Sequence, residues 1–330
     1  MSAGSRGALV VGMRVPDAFR ARLAARHDVL GPFETSFGDG IARLPGAEAS
    51  RIEVAVVYGT SRVTREVIAR LPALRLVCCV GSGYEGVDLA AARERGILVT
   101  NGRGTNASSV ADLAVGLMIA SVRGIAEGDA FVRAGEWVAR RPRREVRGLT
   151  GRRVGIYGLG AIGTKIASRC EALEMEVGYH GRAPHDGVRY GFHPTLAGLA
   201  TWADVLVVAV RADAGNRHGV DAGVLAALGR DGHVVNISRG SAIDEEALVE
   251  ALRAGVIAGA GLDVFDREPE VPAALLAMRQ VVMTPHIGGD THEAQSAMRD
   301  AVLANVEAFV AHGRVLTPVP GMPAALQGAR

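Results

Sequence analysis

The chain has 330 residues, 48% of them hydrophobic and 22% charged, with a net charge of +2. That is room for two domains with well-formed cores, in the composition of an ordinary globular protein. Lys165 is the single lysine, so the arginine richness reads as a compositional bias and no nucleic-acid partner is expected. Cys78, Cys79 and Cys170 lack a metal-ligand spacing, so neither a disulfide framework nor a metal site is expected. The adjacent pair, inside the apolar run Leu74 to Val80, reads as buried small hydrophobes. Met1 to Gly7 lacks a signal-peptide apolar core, and the longest apolar helical run, Leu113 to Ala120, is too short to span a bilayer. A cytoplasmic location without a membrane partner is the expectation.

Short apolar strands alternate with helical stretches along the chain, the mark of parallel sheets in the α/β class. In the first third, strands are predicted at Ala8–Val11, Val54–Tyr58, Leu76–Val80 and Leu98–Thr100, with helices at Ala18–Arg26, Arg65–Leu71 and Leu89–Arg95. A long apolar helix is predicted over Ala107–Arg123, its small residues Ala111, Ala114, Gly116 and Ala120 allowing close packing. The Arg- and Pro-rich stretch Gly135 to Gly148 reads as a solvated loop. The strand pattern then restarts: Arg153–Tyr157, Glu176–Tyr179, Val205–Val210, Val234–Ile237, Gly259–Leu262 and Val281–Met283. Helices are predicted between them at Ile162–Leu173, Asp221–Ala227 and Glu245–Ala254, and a last one over Thr291 to Ala311. Six strands in this second unit suit a full dinucleotide-binding sheet.

The strand at Val154 runs straight into Gly158-Leu159-Gly160-Ala161-Ile162-Gly163. In that context the first glycine permits a tight turn, the second lets backbone approach a pyrophosphate, and the third allows helix and strand to pack closely. Amides at the helix start, with Ala161 and Ile162 among them, then favour phosphates. The loop therefore points to a nicotinamide dinucleotide. NAD enzymes place an acidic residue about 20 positions beyond the glycines to bind the ribose 2′-hydroxyl. Here Gly181 and Arg182 stand in that place. A 2′-phosphate is not repelled, and the guanidinium can pair with it. NADP is the expected cofactor, with NAD at lower affinity.

Three segments fall at the carboxyl ends of successive predicted strands, the edge where open α/β sheets bind ligands. They are Asn236 to Gly240, Gly261 to Pro269, and Thr284 to Gly289. They offer a guanidinium, Arg239; a carboxylate, Glu268; and an imidazole, His286. Reduction of a 2-keto acid wants a cation for the carboxylate and carbonyl, and a proton donor active near neutrality. A carboxylate beside an imidazole orients it and favours its protonated form.

With these residues in hand, the sequence resembles the D-2-hydroxyacid dehydrogenase family from about Val54 to Pro318. The matching stretches are Val80 to Asp88, Val110 to Ala114, the glycine loop, and the segments of Arg239, Glu268 and His286. Within the family, Ala111 to Leu117 and Tyr179 to Arg182 look most like NADPH-dependent glyoxylate/hydroxypyruvate and hydroxyphenylpyruvate reductases. The resemblance implies that Arg239 binds substrate and that His286, paired with Glu268, is the acid/base. It implies that backbone amides around Gly81, Ser82 and Gly83 receive the substrate carboxylate, and that Ser238 and Asp263 are cofactor contacts, Asp263 near the nicotinamide carboxamide. It also implies two doubly wound parallel-sheet domains, a Rossmann cofactor domain (103–287) inserted into a flavodoxin-like substrate domain (1–102 and 288–330), with the active site in a closing cleft. The helix Ala107–Arg123 and the arginine-rich loop would form a dimerisation arm, hence a homodimer. Two departures stand out. Arg140 occupies the stretch where some glyoxylate/hydroxypyruvate reductases carry a capping Trp, and Val210-Arg211-Ala212-Asp213 replaces the usual Pro-Leu-Thr run. The substrate implied is a small 2-keto acid, glyoxylate or hydroxypyruvate first, hydroxyphenylpyruvate or another as the alternative. Phosphoglycerate dehydrogenase, where NAD is usual, and formate dehydrogenase, whose pattern around the His differs, are weaker readings. A non-catalytic dinucleotide sensor is the rival from outside the enzymes.

Overall fold

In a computed structural model, described over residues 7–142 and 145–326, the apolar runs of the first third form a parallel sheet buried on both faces. Its strands are β1 (Ala8–Val11), β2 (Asp28–Leu30), β3 (Ile52–Tyr58), β4 (Leu76–Val80) and β5 (Leu98–Asn101), in the order β2-β1-β3-β4-β5. That is the flavodoxin-like order. Because side chains alternate across a strand, β3 and β4 feed two cores at once. Ala55, Val57, Val77 and Cys79 pack with Ile68 and Leu71. Val54, Val56, Leu76 and Cys78 pack with Met298, Val302 and Phe309 of the helix His292–His312. Both cysteines are therefore core residues, and burial pushes the Cys78 thiol up to about 12.

The second sheet adds β6 (Arg153–Tyr157), β7 (Glu176–His180), β8 (Gly191–Phe192), β9 (Val205–Val208), β10 (His233–Asn236), β11 (Gly259–Leu262) and β12 (Val281–Met283). All pairings are parallel, in the order β12-β11-β10-β9-β6-β7-β8. The chain runs outward from β6 in one direction, then restarts at β9 and runs outward in the other. The switch point between β6 and β9 is where a doubly wound sheet opens a crevice for a ligand. Asp221 and Asp244 cap the helices that follow, accepting from the Val224 and Ala247 amides at 2.9 and 3.1 Å.

The chain divides after Asn106 and after Thr291 into two units, with Ala107–Thr291 as one and the flanking segments as the other. These crossings lie a few residues beyond 102 and 287. Several expectations need correction. The second sheet has seven strands, not six, because the two-residue β8 is too short to show a period. The helices Leu196–Trp202 and Ile125–Arg133 and the strand β2 were not foreseen either. The predicted Val205–Val210 ends at Val208, where the chain turns into a loop. In the helix Ala107–Arg123, Ala111 and Ala114 are buried, but Gly116 faces open space. The close approach comes from the sheet side, where a Cβ on Gly261 would lie 2.9 Å from that of Leu117. The stretch from Gly135 holds turns, and Arg143 and Arg144 lie outside the described residues. Among the described residues no single helix is long and apolar enough to cross a membrane. Ala107–Arg123 and Ile125–Arg133 meet that test only as a pair, bent by 62°.

Candidate active site

The glycine loop leaves β6 in a conformation only glycine takes readily. Gly158 has φ +101°, and a Cβ there would lie 2.6 Å from Val210 Cα in the loop that follows β9. A Cβ on Gly163 would lie 2.1 Å from the Gly158 carbonyl oxygen, so helix and strand touch backbone to backbone. A Cβ on Gly160 would meet nothing within 4 Å. Gly160 caps the helix Ala161–Ala172 without a side-chain bond, leaving the Ala161, Ile162 and Gly163 amides without a capping side chain. Space in front of the second glycine, with uncapped amides and the positive end of a helix beside it, fits a dinucleotide pyrophosphate.

At the end of β7, His180 Nδ1–H donates to the His193 carbonyl at 2.8 Å. Gly181 follows half-buried. Arg182 is exposed, without an ion pair among the described residues, and no carboxylate takes the usual ribose position. Across the switch point, the Arg211–Asp213 ion pair (3.1 Å) and the Asn216 side chain, which bonds the Arg211 carbonyl and the Asp213 amide at 2.8 Å each, close the loop after β9. Ser238, buried, donates its hydroxyl to the Val210 carbonyl and its amide to Asn236 Oδ1, so it ties two strand-end turns together.

Arg239, Glu268 and His286 all sit in this second unit. The turn carrying Arg239 lies against that of Glu268: a Cβ on Gly240 would lie 1.9 Å from the Phe265 carbonyl carbon. Arg239 Nη1 donates to the Ser238 carbonyl at 2.8 Å, and its own carbonyl accepts from Asn236 Nδ2 at 2.9 Å. His286 Nδ1–H donates to Glu268 Oε2 at 2.7 Å, and Glu268 Oε1 accepts from the Phe265 amide at 3.1 Å. Burial raises the Glu268 carboxyl. The bonds from His286 and Phe265, with the His286 and Arg239 charges, outweigh burial and hold it below the usual carboxylate range. The two side chains keep 39% and 33% exposure, so the far edge of the imidazole can meet a ligand. His286 is itself left-handed, with φ +55°, a conformation costing an L residue about 1 kcal/mol or more. Such outliers persist where surrounding bonds over-determine them.

The sequence profile of the D-isomer specific 2-hydroxyacid dehydrogenase NAD-binding domain matches residues 115–288. The chain belongs to the D-isomer specific 2-hydroxyacid dehydrogenase family. Glyoxylate/hydroxypyruvate reductase A of Arabidopsis thaliana is 40% identical over 82% of this chain and 87% of its own length. Hydroxyphenylpyruvate reductase of Plectranthus scutellarioides is 39% identical over the same shares. Among solved structures, the NADPH-dependent glyoxylate/hydroxypyruvate reductase of Sinorhizobium meliloti, crystallised with NADP and malonate, superposes with a TM-score of 0.90 at 36% identity. That match covers 97% of this chain and 99% of the other.

This dehydrogenase holds its second candidate loop, Gly81 to Gly83, in the first unit after β4. Gly81 has φ +84°. The Gly81 and Ser82 carbonyls are taken from behind, by the Gly102 amide at 2.6 Å and Asn101 Nδ2 at 2.7 Å, while Ser82 Oγ donates to Asn106 Oδ1 at 2.8 Å. Asn101 was not among the predicted residues. Nor was Thr284, which donates its hydroxyl to Asp263 Oδ1 at 2.7 Å. Both are polar residues at the end of an apolar strand, the one signal that could have marked them.

Proposed function

We propose that this dehydrogenase is an NADP-dependent reductase of small 2-keto acids, with glyoxylate and hydroxypyruvate as the first candidates. Hydroxyphenylpyruvate, suggested by the relative of that name, is the alternative. The observation that carries the reading is the 2.7 Å His286–Glu268 bond at the carboxyl edge that also bears Arg239. When bound, the reduced cofactor supplies a hydride to the keto carbon. The chain's residues do the rest. His286 holds a proton for the keto oxygen on the ring edge away from Glu268, and Glu268 fixes the ring and stabilises the imidazolium. Arg239 pairs with the substrate carboxylate and polarises the carbonyl. The amides of Gly81, Ser82 and Gly83 are donors suited to a carboxylate. The glycine loop, with Gly158, Gly160, Ala161, Ile162 and Gly163, takes the pyrophosphate. Gly181 leaves room for a 2′-phosphate and Arg182 pairs with it, so NADP is preferred and NAD binds more weakly. Ser238 and Asp263 lie with the turns that border this site.

On the same reading Ala107–Thr291 is the cofactor domain and the flanking segments form the substrate domain. A homodimer is part of the proposal. The helix Ile125–Arg133 buries none of its residues, Ile125 and Val132 are exposed, and Trp137 and Val138 follow at 70% and 89% exposure. Apolar surface of this kind is covered in most stable proteins. The test is oxidation of NADPH, followed by its absorbance, with glyoxylate, hydroxypyruvate and hydroxyphenylpyruvate in turn, and again with NADH. Turnover of at least one, faster with NADPH, is expected. No turnover with any of them overturns the catalytic reading in favour of a dinucleotide sensor. A preference for NADH overturns the Arg182 assignment.

A further inference from the structure

Asp263 is 2% exposed, yet it is a carboxylate at the end of an apolar strand. Buried carboxylates are costly unless hydrogen-bonded. Among the described residues every bond to this carboxylate comes from one turn. Oδ1 accepts from the Thr284 hydroxyl at 2.7 Å and the Ile287 amide at 2.8 Å. Oδ2 accepts from the Gly288 amide at 2.9 Å. The Asp263 carbonyl accepts from the amide of His286 itself at 2.8 Å. Four donors from residues 284–288 thus converge on one residue. The centre of that turn is His286, in its left-handed conformation.

We infer that Asp263 is the positioning residue of the proton donor: its carboxylate clamps the Thr284–Gly288 turn and so holds the imidazole on Glu268. The logic is geometric. The ring direction of His286 follows from its backbone, and that backbone lies in a region L residues avoid. A carboxylate can accept two or three amide and hydroxyl bonds at once, whereas an amide side chain has one accepting oxygen and would face a donor with a donor. Among the described residues Glu268 bonds the imidazole, and the Arg239 charge acts on Glu268. Asp263 acts through the turn, not as a partner of the ring.

This inference rests on His286 being the proton donor. Two variants of the whole protein separate it from a direct cofactor role. In Thr284→Val the carboxylate charge stays and one clamp bond is lost. In Asp263→Asn the charge goes and at least one amide loses its acceptor. For Thr284→Val, kcat is expected to fall severalfold with the NADPH Kd, read by fluorescence titration, unchanged. The KM for the 2-keto acid is expected to stay near wild type, because Arg239 is untouched and only the proton donor is loosened. Asp263→Asn should lower kcat further. A normal kcat in Thr284→Val, with wild type active and His286→Ala dead, would overturn the clamp and leave the proton-donor reading intact. A raised NADPH Kd in both variants with kcat unchanged would overturn it in favour of a cofactor contact. If His286→Ala is itself active, it is the proton-donor reading that fails.

Discussion

The two parallel sheets solve the same problem with different parts. Each ends in loops at its carboxyl edge, and each holds such loops in place with polar side chains. After β4, the loop Gly81 to Gly83 brings no ionisable side chain; on the proposed reading its chemistry is that of backbone amides, and Asn101 and Gly102 bond its carbonyls. After β10, β11 and β12 the groups proposed to meet the ligand are charged side chains, held by Asn236, Asp263 and Glu268. The difference separates two tasks. An amide loop can recognise a carboxylate but cannot move a proton, whereas an imidazole on a carboxylate can. Substitutions of the imidazole and its carboxylate in the second sheet should therefore act on rate, and those behind the amide loop of the first on substrate affinity.

The largest effect is expected from His286→Ala. Loss of a general acid costs roughly 10²–10⁴ in rate, so kcat should fall by at least two orders of magnitude, with NADPH affinity retained. An unchanged kcat would remove His286 from the mechanism. Arg239→Ala should lower kcat/KM more than tenfold, about 1.4 kcal/mol or more, in steady-state assays with the best 2-keto acid. Glu268→Gln tests the orienting bond through pH. The carboxyl titrates below its usual range, so in the wild type the anion persists until the pH falls through that lowered value. In the variant no carboxylate titrates there and the ring loses its charged partner, so kcat should fall severalfold and the acid limb that follows protonation of Glu268 should be lost. An unmoved limb breaks the assignment.

Much of this arrangement was legible in the sequence. Buried parallel strands are continuous apolar runs, so Ala8–Val11, Leu76–Val80 and Arg153–Tyr157 stand out, and the glycines after Tyr157 mark the turn that only small residues permit. The residue types at the strand ends were equally readable. Their wiring was not. The His286–Glu268 and Gly288–Asp263 bonds join residues 18 and 25 positions apart, and such bonds leave no periodicity. The left-handed backbone of His286 is not marked by a glycine. Short or half-buried pieces, such as β2 and β8, fell below any pattern, and the helix Ile125–Arg133 has no buried face to betray it.

Arg182 sharpens the comparison from the cofactor side. It is exposed, so its worth depends on a partner that carries charge. A charge-assisted bond contributes about 1.5–3 kcal/mol. Arg182→Ala should therefore weaken NADPH binding about tenfold to a hundredfold and leave NADH binding unchanged, read by fluorescence titration of each. Equal losses for both cofactors would mean that the arginine supports the fold of the strand end, not the 2′-phosphate.

The smallest effect, and the one that bears most directly on the amide loop, is expected at Asn101. It is 5% exposed and bonded on both sides. Nδ2 donates to the Ser82 carbonyl at 2.7 Å, and its own carbonyl accepts from Thr317 Oγ1 at 2.7 Å. Thr317 is in turn held by Asn305, buried in the helix His292–His312, at 3.0 Å. Replacing Asn101 with Ala removes one support of the Gly81 to Gly83 loop and leaves the Gly102 amide on Gly81, so the loop should loosen without collapsing. The KM for the 2-keto acid should rise about fivefold, on the order of 1 kcal/mol, with kcat at saturation and the NADPH Kd near wild type. A fall in kcat with KM unchanged would show that the loop takes part in the chemical step after all, and the division of labour between the two sheets would fail with it.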